Sequence, residues 1–281
     1  MERELPDTVP ACKEANAIIR AGRSGDPPVA PVAGVDGGLV GTAVEYVLPI
    51  RHGFVRQPQI ADARTAELAD RRLDAAELAL TELSRLGGLG ELTGPALERA
   101  ADCALVCARL EQRFRMGDSR GYELGLPDPA VGVPGGLDGV IDAARAGAET
   151  RADLVELVEA GLADTVDLYS AEALAIDPTF TLSGAVGGAD ADVIADGVLI
   201  DFKSAKGRSL VGAKEIYQLI GYALLDSDDQ YKITGAGIHA LRWRTRWTVA
   251  LGDLLARLSG VQRNLDDWRV MFAKALGADE Q

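Results

Sequence analysis

The sequence predicts an α+β protein, with a mainly helical region over residues 1–174 followed by a mixed strand-and-helix region over 175–281. Three observations carry this expectation. Apolar residues recur at helical spacing from Ala61 to Leu86 and again beyond Thr93. After Asp177-Pro178 the pattern shortens into brief β-compatible runs. Between two of those runs stands Asp196-Gly197, a dipeptide that accepts the left-handed backbone of a two-residue hairpin turn. With 281 residues, 47% hydrophobic and 26% charged, the composition suits a chain that buries a core, which excludes a disordered or fibrous protein. No self-similarity points to a repeat architecture.

The elements follow in order. Residues 22–38, GRSGDPPVAPVAGVDGG, read as a linker because glycine, proline and small residues bury little. LVGTAVEYVLPI, residues 39–50, reads as a helix. From Ala61 to Leu86 a helix places Leu73, Ala76, Leu80 and Leu83 on one stripe and stops at Gly87-Gly88. A second helix starts near Thr93 with Pro95 in its first turn and aligns Cys103, Cys107, Leu110 and Phe114, so the two form an antiparallel hairpin. Residues 117–135 are loop-like, and weaker helical patterns run from 136 to 174, among them ADLVELVEAGL. Then TFTLSGAV, ADADVIA and VLIDFKS read as strands, LVGAKEIYQLIGYALL as a helix, GAGIHALRW and RWTVAL as strands, and Asp253 to Leu276 as closing helices.

Lysine and arginine number 29 against 43 aspartates and glutamates, a net charge of −14, which argues against a general basic coat. The amino terminus is charged where a signal peptide is apolar, and no uncharged run reaches the roughly 18 residues of a membrane span. The expectation is a soluble cytoplasmic protein with no membrane partner. Cys12, Cys103 and Cys107 are too few for a four-thiolate site.

The hairpin turn fixes a register. Ala195 faces Val198, Ile194 faces Leu199, Val193 faces Ile200, and by extension Asp192 faces Asp201 and Asp190 faces Lys203. Asp201 and Lys203, two apart on one strand, share a face. Two carboxylates and an amine thus converge at a strand edge: hard oxygens suited to Mg²⁺ or Mn²⁺, with a lysine to orient or deprotonate a water for attack on a phosphodiester. Gln218 and Tyr222, four apart, share one helical face from which an amide and a phenol reach a nucleotide backbone or the lysine.

Together these residues resemble the PD-(D/E)XK nuclease superfamily, particularly its RecB-like, λ-exonuclease-like branch. GGADADVIADGVLIDFKS followed by YQLIGYALL is similar to its aspartate strand, Asp-x-Lys strand and Gln-x-x-x-Tyr helix, over about residues 177–251. The resemblance implies an α-β-β-β-α-β core with a central mixed sheet flanked by helices, Mg²⁺ dependence and phosphodiester hydrolysis. It assigns Asp192, Asp201 and Lys203 to catalysis, with Gln218 and Tyr222 in support. Asp190, three residues after Gly187, is the alternative to Asp192. Glu45 is the candidate for a further metal-binding glutamate on an earlier helix, which would make residues 39–50 the first core helix. Some relatives carry an iron-sulfur cluster on four cysteines; none is expected here, where Cys103 and Cys107 read as small core residues.

Between Lys203 and Trp247, eight basic residues stand against four acidic ones, a local excess of four positive charges. Of these, Lys206, Arg208 and Lys214 follow the catalytic lysine closely, and RWRTRW, read as one strand, puts Arg242, Arg244 and Arg246 on a single face toward phosphates. The expected partner is DNA, with room for a homo-oligomer or a protein that delivers it. The competing reading keeps the fold without the chemistry: a nucleic-acid-binding or scaffold subunit of a repair, phage or defence complex.

Overall fold

A computed structural model describes residues 4–21, 29–56, 66–88, 92–130, 134–205, 207 and 210–277. The chain divides into two compact units, one formed by residues 29–163 and the other by 1–28 together with 164–281. The first 28 residues therefore belong with the carboxyl-terminal part rather than with the helical region expected over 1–174. Among the described residues no helix is long and apolar enough to cross a membrane.

The unit of residues 29–163 is helical. It holds α2 (Gly37–Ile50), α3 (Ala66–Gly87), α4 (Gly94–Met116), α5 (Asp118–Glu123), α6 (Gly136–Ala144) and α7 (Ala148–Leu162). Asp36 caps α2 by accepting from Leu39 N at 3.1 Å, and Pro95 sits in the first turn of α4, where its missing N–H costs nothing. Most of α2 is buried, from Leu39 to Ile50, as is the Cys103, Cys107 and Leu110 stripe of α4. Of the stripe expected on α3, Ala76 and Leu83 are buried and Leu80 is half-buried, while its start shifts from Leu73 to Arg72. Leu73 is 51% exposed, and the buried line runs through Arg72, Ala75, Ala76, Ala79, Leu83 and Leu86. Arg72 is tolerated inside because Asp118 and Asp128 pair with it, the latter at 3.0 Å.

The other unit carries α1 (Val9–Ala21), α8 (Val166–Tyr169), β1 (Leu174–Ile176), β2 (Val193–Ala195), β3 (Val198–Lys203), α9 (Ala213–Leu225), β4 (Gly235–Ala240), β5 (Thr245–Ala250), α10 (Leu251–Ser259) and α11 (Leu265–Ala275). Its five strands form one mixed open sheet in the order β1-β2-β3-β4-β5, antiparallel except for the β3–β4 pair, which α9 connects. Asp196 and Gly197 both have positive φ, 48° and 75°, and the hairpin pairs Ala195 with Val198, Ile194 with Leu199 and Val193 with Ile200 as the turn chemistry predicts.

Two strand expectations need correction. The segment TFTLSGAV is not a strand: Ser183–Val186 forms a 3-10 turn, and the first strand lies earlier, at Leu174–Ile176. RWRTRW is not one strand either. Leu241–Trp243 is a 3-10 turn and Arg244 has φ 52°, so β5 begins only at Thr245.

One face of the sheet carries Ile194, Leu199, Ala236, Ile238 and Trp247, packed with Ile216, Leu219, Ile220 and Ala223 of α9 and with Ala11, Ala15 and Ile19 of α1. Within this unit the helix that covers the sheet from the amino-terminal side is α1; residues 39–50 belong to α2, which packs on α4 and α7 inside the helical unit. On the same sheet face, β3 continues from Leu199 to Asp201 and Lys203, so the apolar face turns polar at the carboxyl end of the strand.

Candidate active site

The carboxyl end of β3 gathers Asp201, Lys203, Gln218 and Tyr222 of the residues singled out from the sequence. Asp201, its side chain 7% exposed, lies 2.6 Å from Lys203 Nζ through its Oδ2. Lys203 Nζ donates to Gln218 Oε1 at 3.4 Å, and Gln218 Nε2 donates to Tyr222 OH at 2.7 Å. Carboxylate, ammonium, amide and phenol thus form one continuous relay from the sheet to α9. Helical spacing explains its second half, since Gln218 and Tyr222 stand one turn apart.

Asp192 precedes β2 by one residue. Its Oδ2 accepts from Phe202 N at 2.5 Å, across from the position that the extended hairpin register assigns to Asp201. Its backbone carbonyl accepts from Asp177 N at 3.1 Å. Asp190 makes an isolated antiparallel bridge with Thr179, and Ala191 N donates to Pro178 O at 3.2 Å, so both aspartates hang from the segment entering the hairpin. Phe180 anchors that segment: it is buried, stacked on Tyr222 with ring centres 5.7 Å apart and edge-on to Tyr231 at 5.8 Å.

The electrostatics are those of carboxylates held out of water. Burial pushes the Asp201 carboxyl above its ordinary range, with the Lys203 ammonium opposing. Burial alone would lower the Lys203 pKa, but Asp201, then Asp192 and Glu215, outweigh it and raise the net value, so the side chain is an ammonium at neutral pH. The Tyr222 phenol is also raised, first by burial and then by Asp201, Asp190 and Asp192, while its bond from Gln218 pulls the other way. All three aspartates therefore bear on Tyr222.

Glu215 escaped the sequence reading. It stands three residues before Gln218, hence on the same face of α9, and its carboxylate accepts from Gly212 N at 2.9 Å while acting on both Asp201 and Lys203. Its spacing from Gln218 was the signal that could have found it.

The basic residues fare differently. Lys214 is exposed on the first turn of α9, whereas Lys206 and Arg208 lie outside the described residues. Arg242 is buried, and its Nε donates to Ser204 O. Arg244 pairs with Asp164 at 2.8 Å, and Arg246 pairs with Asp167 at 2.7 Å while donating to Asp164 O at 2.9 Å. The turn at 241–244 removes the shared face expected of the three arginines, and local acids engage two of them. Glu45 belongs to the helical unit, where Arg56 pairs with it at 2.8 Å. Cys103 and Cys107 are buried there, with the Cys103 thiol pushed up to about 12 by desolvation.

Among the described residues no three His, Cys, Asp or Glu side chains are grouped closely enough to hold a metal between them. The donor set nevertheless suits a hard cation that keeps much of its water. Asp201 Oδ2 is buried with Lys203 Nζ 2.6 Å away, and Asp192 and Asp190 add carboxylates whose charge reaches the same Tyr222 phenol as that of Asp201. A scan against protein-family models, a search of curated proteins and a search of solved structures each return no match, so the functional reading rests on geometry and residue chemistry.

Proposed function

We propose that the chain is a Mg²⁺-dependent nuclease of the PD-(D/E)XK, RecB-like kind that hydrolyses phosphodiester bonds, with DNA as substrate. The observation that carries this reading is the Asp201–Lys203–Gln218–Tyr222 relay at the end of a central strand, with Asp192 bonded to the backbone of the intervening Phe202. The order of elements in the sheet unit, α1-α8-β1-β2-β3-α9-β4 with β5 beyond, is compatible with the core that the sequence motifs imply, the short α8 standing between the first helix and the first strand.

In this reading Asp192 and Asp201 would hold Mg²⁺, with Asp190 the alternative to Asp192; Mn²⁺ would serve in its place. The bound ion supplies Lewis-acid polarisation of the phosphate and a water acidic enough to attack it. Lys203, charged at neutral pH, would donate to an attacking water and face the negative charge that builds on the phosphate oxygens. Gln218 holds the lysine by accepting from Nζ, and Tyr222 in turn fixes the amide. Lys214, exposed on the first turn of α9, would meet the substrate backbone in this reading.

The test is cleavage of labelled single- and double-stranded DNA, linear and circular, with Mg²⁺, Mn²⁺ or EDTA. Wild type should cut only with metal, and Asp201→Ala and Lys203→Ala should each lose about 100-fold or more in rate. Cutting that persists in both variants would overturn the assignment. A wild type as inert as its variants on every substrate would favour the silent binding or scaffold reading, which the engagement of Arg244 and Arg246 by Asp164 and Asp167 also fits.

A further inference from the structure

Resting on the nuclease reading, we infer that Asn16 of α1 is a positioning residue for the site: it clamps the chain that runs from Lys203 to α9 and so sets where Gln218 meets the lysine. Asn16 is buried in the middle of α1, among Ala11, Ala15 and Ile19, and nearly 200 positions from the segment it holds. Its Nδ2 donates to Cys12 O at 2.7 Å and to Val211 O at 2.7 Å. Its Oδ1 accepts from Leu210 N at 2.8 Å and Val211 N at 3.1 Å. Both donors and both lone pairs of the amide are used, and three of the four bonds grip the backbone of Leu210 and Val211.

The position of that grip gives it a consequence beyond stability. Gly212, the next residue, is the N-cap of α9; Glu215 closes a capping bond onto its N–H, and Gln218 follows one turn later with its bond to Lys203. A side chain from α1 thus fixes the chain at Val211, immediately before the N-cap of α9, and with it the axial position of the helix. At 3.4 Å the Lys203–Gln218 bond is at the long limit of a hydrogen bond, so a small slide of the helix breaks it. Tyr217 OH, which donates to Leu5 O at 2.9 Å, ties the same helix to the amino-terminal segment a second time. An aspartate at position 16 could accept from both N–H groups but donate to neither carbonyl, an alanine could do neither, and a glutamine is one methylene too long. Asparagine is the side chain that satisfies all four groups at this reach.

The experiment compares Asn16→Ala with Leu258→Ala, a core truncation in α10 that loosens the same unit without touching the clamp. Both are studied at a temperature where they remain folded by circular dichroism. Amide hydrogen exchange at Leu210 and Val211 and the side-chain NH₂ resonances of Gln218 are read without reference to activity. Asn16→Ala should speed exchange at both amides by more than its loss of global stability accounts for and move the Gln218 resonances, whereas Leu258→Ala should speed exchange only in step with its loss of global stability and leave the Gln218 resonances in place. Gln218 resonances unchanged in Asn16→Ala would overturn the inference whether or not the protein cuts DNA, which separates its failure from that of the nuclease reading. Where wild type cleaves, Asn16→Ala should lower kcat by about tenfold with KM for DNA kept within about twofold, the signature of misplaced catalytic groups rather than lost binding. A kcat equal to that of Leu258→Ala would likewise overturn it.

Discussion

Acidification probes how the strand bearing Asp201 and Lys203 is backed. On the opposite sheet face His239 of β4 pairs with Phe202 and packs edge-on to its ring at 5.8 Å, and it is only 1% exposed. Its Nδ1 accepts from Arg246 Nε at 3.2 Å, a bond available only to the neutral imidazole. Burial, reinforced by the Arg246 guanidinium and opposed by Asp164 and Asp167, holds its pKa down at about 4 from an ordinary 6.5. Between these values the unfolded chain binds a proton that the folded chain refuses. The contribution to stability is therefore fully present above about pH 6.5 and is lost progressively as the pH falls toward 4. At about 1.4 kcal/mol per pH unit the whole gap is worth about 3 kcal/mol, of which about 2 kcal/mol is lost by about pH 5. The assay is urea denaturation of wild type and His239→Gln at about pH 7 and about pH 5. Glutamine keeps an acceptor for Arg246 and does not titrate, and acidic groups common to both proteins cancel in the comparison. The variant should lose about 2 kcal/mol less than wild type over this interval. Equal losses in the two proteins would refute the assignment of a neutral, buried imidazole behind the site.

Two further substitutions test the frame. Gly237 lies between Ile200 and Thr248 in the centre of the sheet, and a Cβ there would overlap the Trp247 carbonyl and crowd Thr248 Cγ2 at 2.8 Å, so Gly237→Ala should destabilise by about 3 kcal/mol in denaturant titration; a loss below about 1 kcal/mol would contradict that packing. Phe180→Ala removes the ring held between Tyr222 and Tyr231 and should destabilise by about 3 kcal/mol, with weakened Mn²⁺ binding by calorimetry because the segment carrying Asp190 and Asp192 loses its anchor; unchanged Mn²⁺ affinity would separate that anchor from the site.

What the sequence displayed and what it hid divide along the range of the forces involved. The β2–β3 register was legible because it follows from two adjacent residues, Asp196 and Gly197, that take positive φ at little cost. The relay was legible because period two on a strand and period four on a helix each place their residues on a face without outside help. The first strand was not: Leu174–Ile176 is too short to show any period, and pairing with β2 rather than local pattern makes it a strand. The break inside RWRTRW was hidden because Arg244, with φ 52°, occupies a backbone region that glycine or asparagine would have announced, and the bonds from Arg244 and Arg246 to Asp164 compensate from about 80 positions away. The shifted start of the α3 stripe has the same origin, since Arg72 is admitted to the interior by aspartates on a later segment.

The candidate site joins both classes. Alternation along β3 calls for an apolar residue after Leu199 on the face that α9 covers, and the chain places Asp201 there, where burial opposes its charge. Lys203 offsets part of that cost through its ion pair, with Nζ 2.6 Å from Asp201 Oδ2. A fold selected for stability alone would gain by putting a leucine at position 201, because replacing a buried charge by an apolar side chain is commonly neutral or stabilising. Local strand pattern therefore reveals the cost, and only the long-range groups, Asn16 with its hold on the start of α9 and Phe180 with its hold on the hairpin entry, show how the chain keeps Asp192, Asp201, Lys203 and Gln218 together despite it. A buried carboxylate beside an ammonium, anchored from Asn16 and Phe180, is costly for a purely structural end of a central strand, and that cost supports the proposed site for a cation and a phosphate.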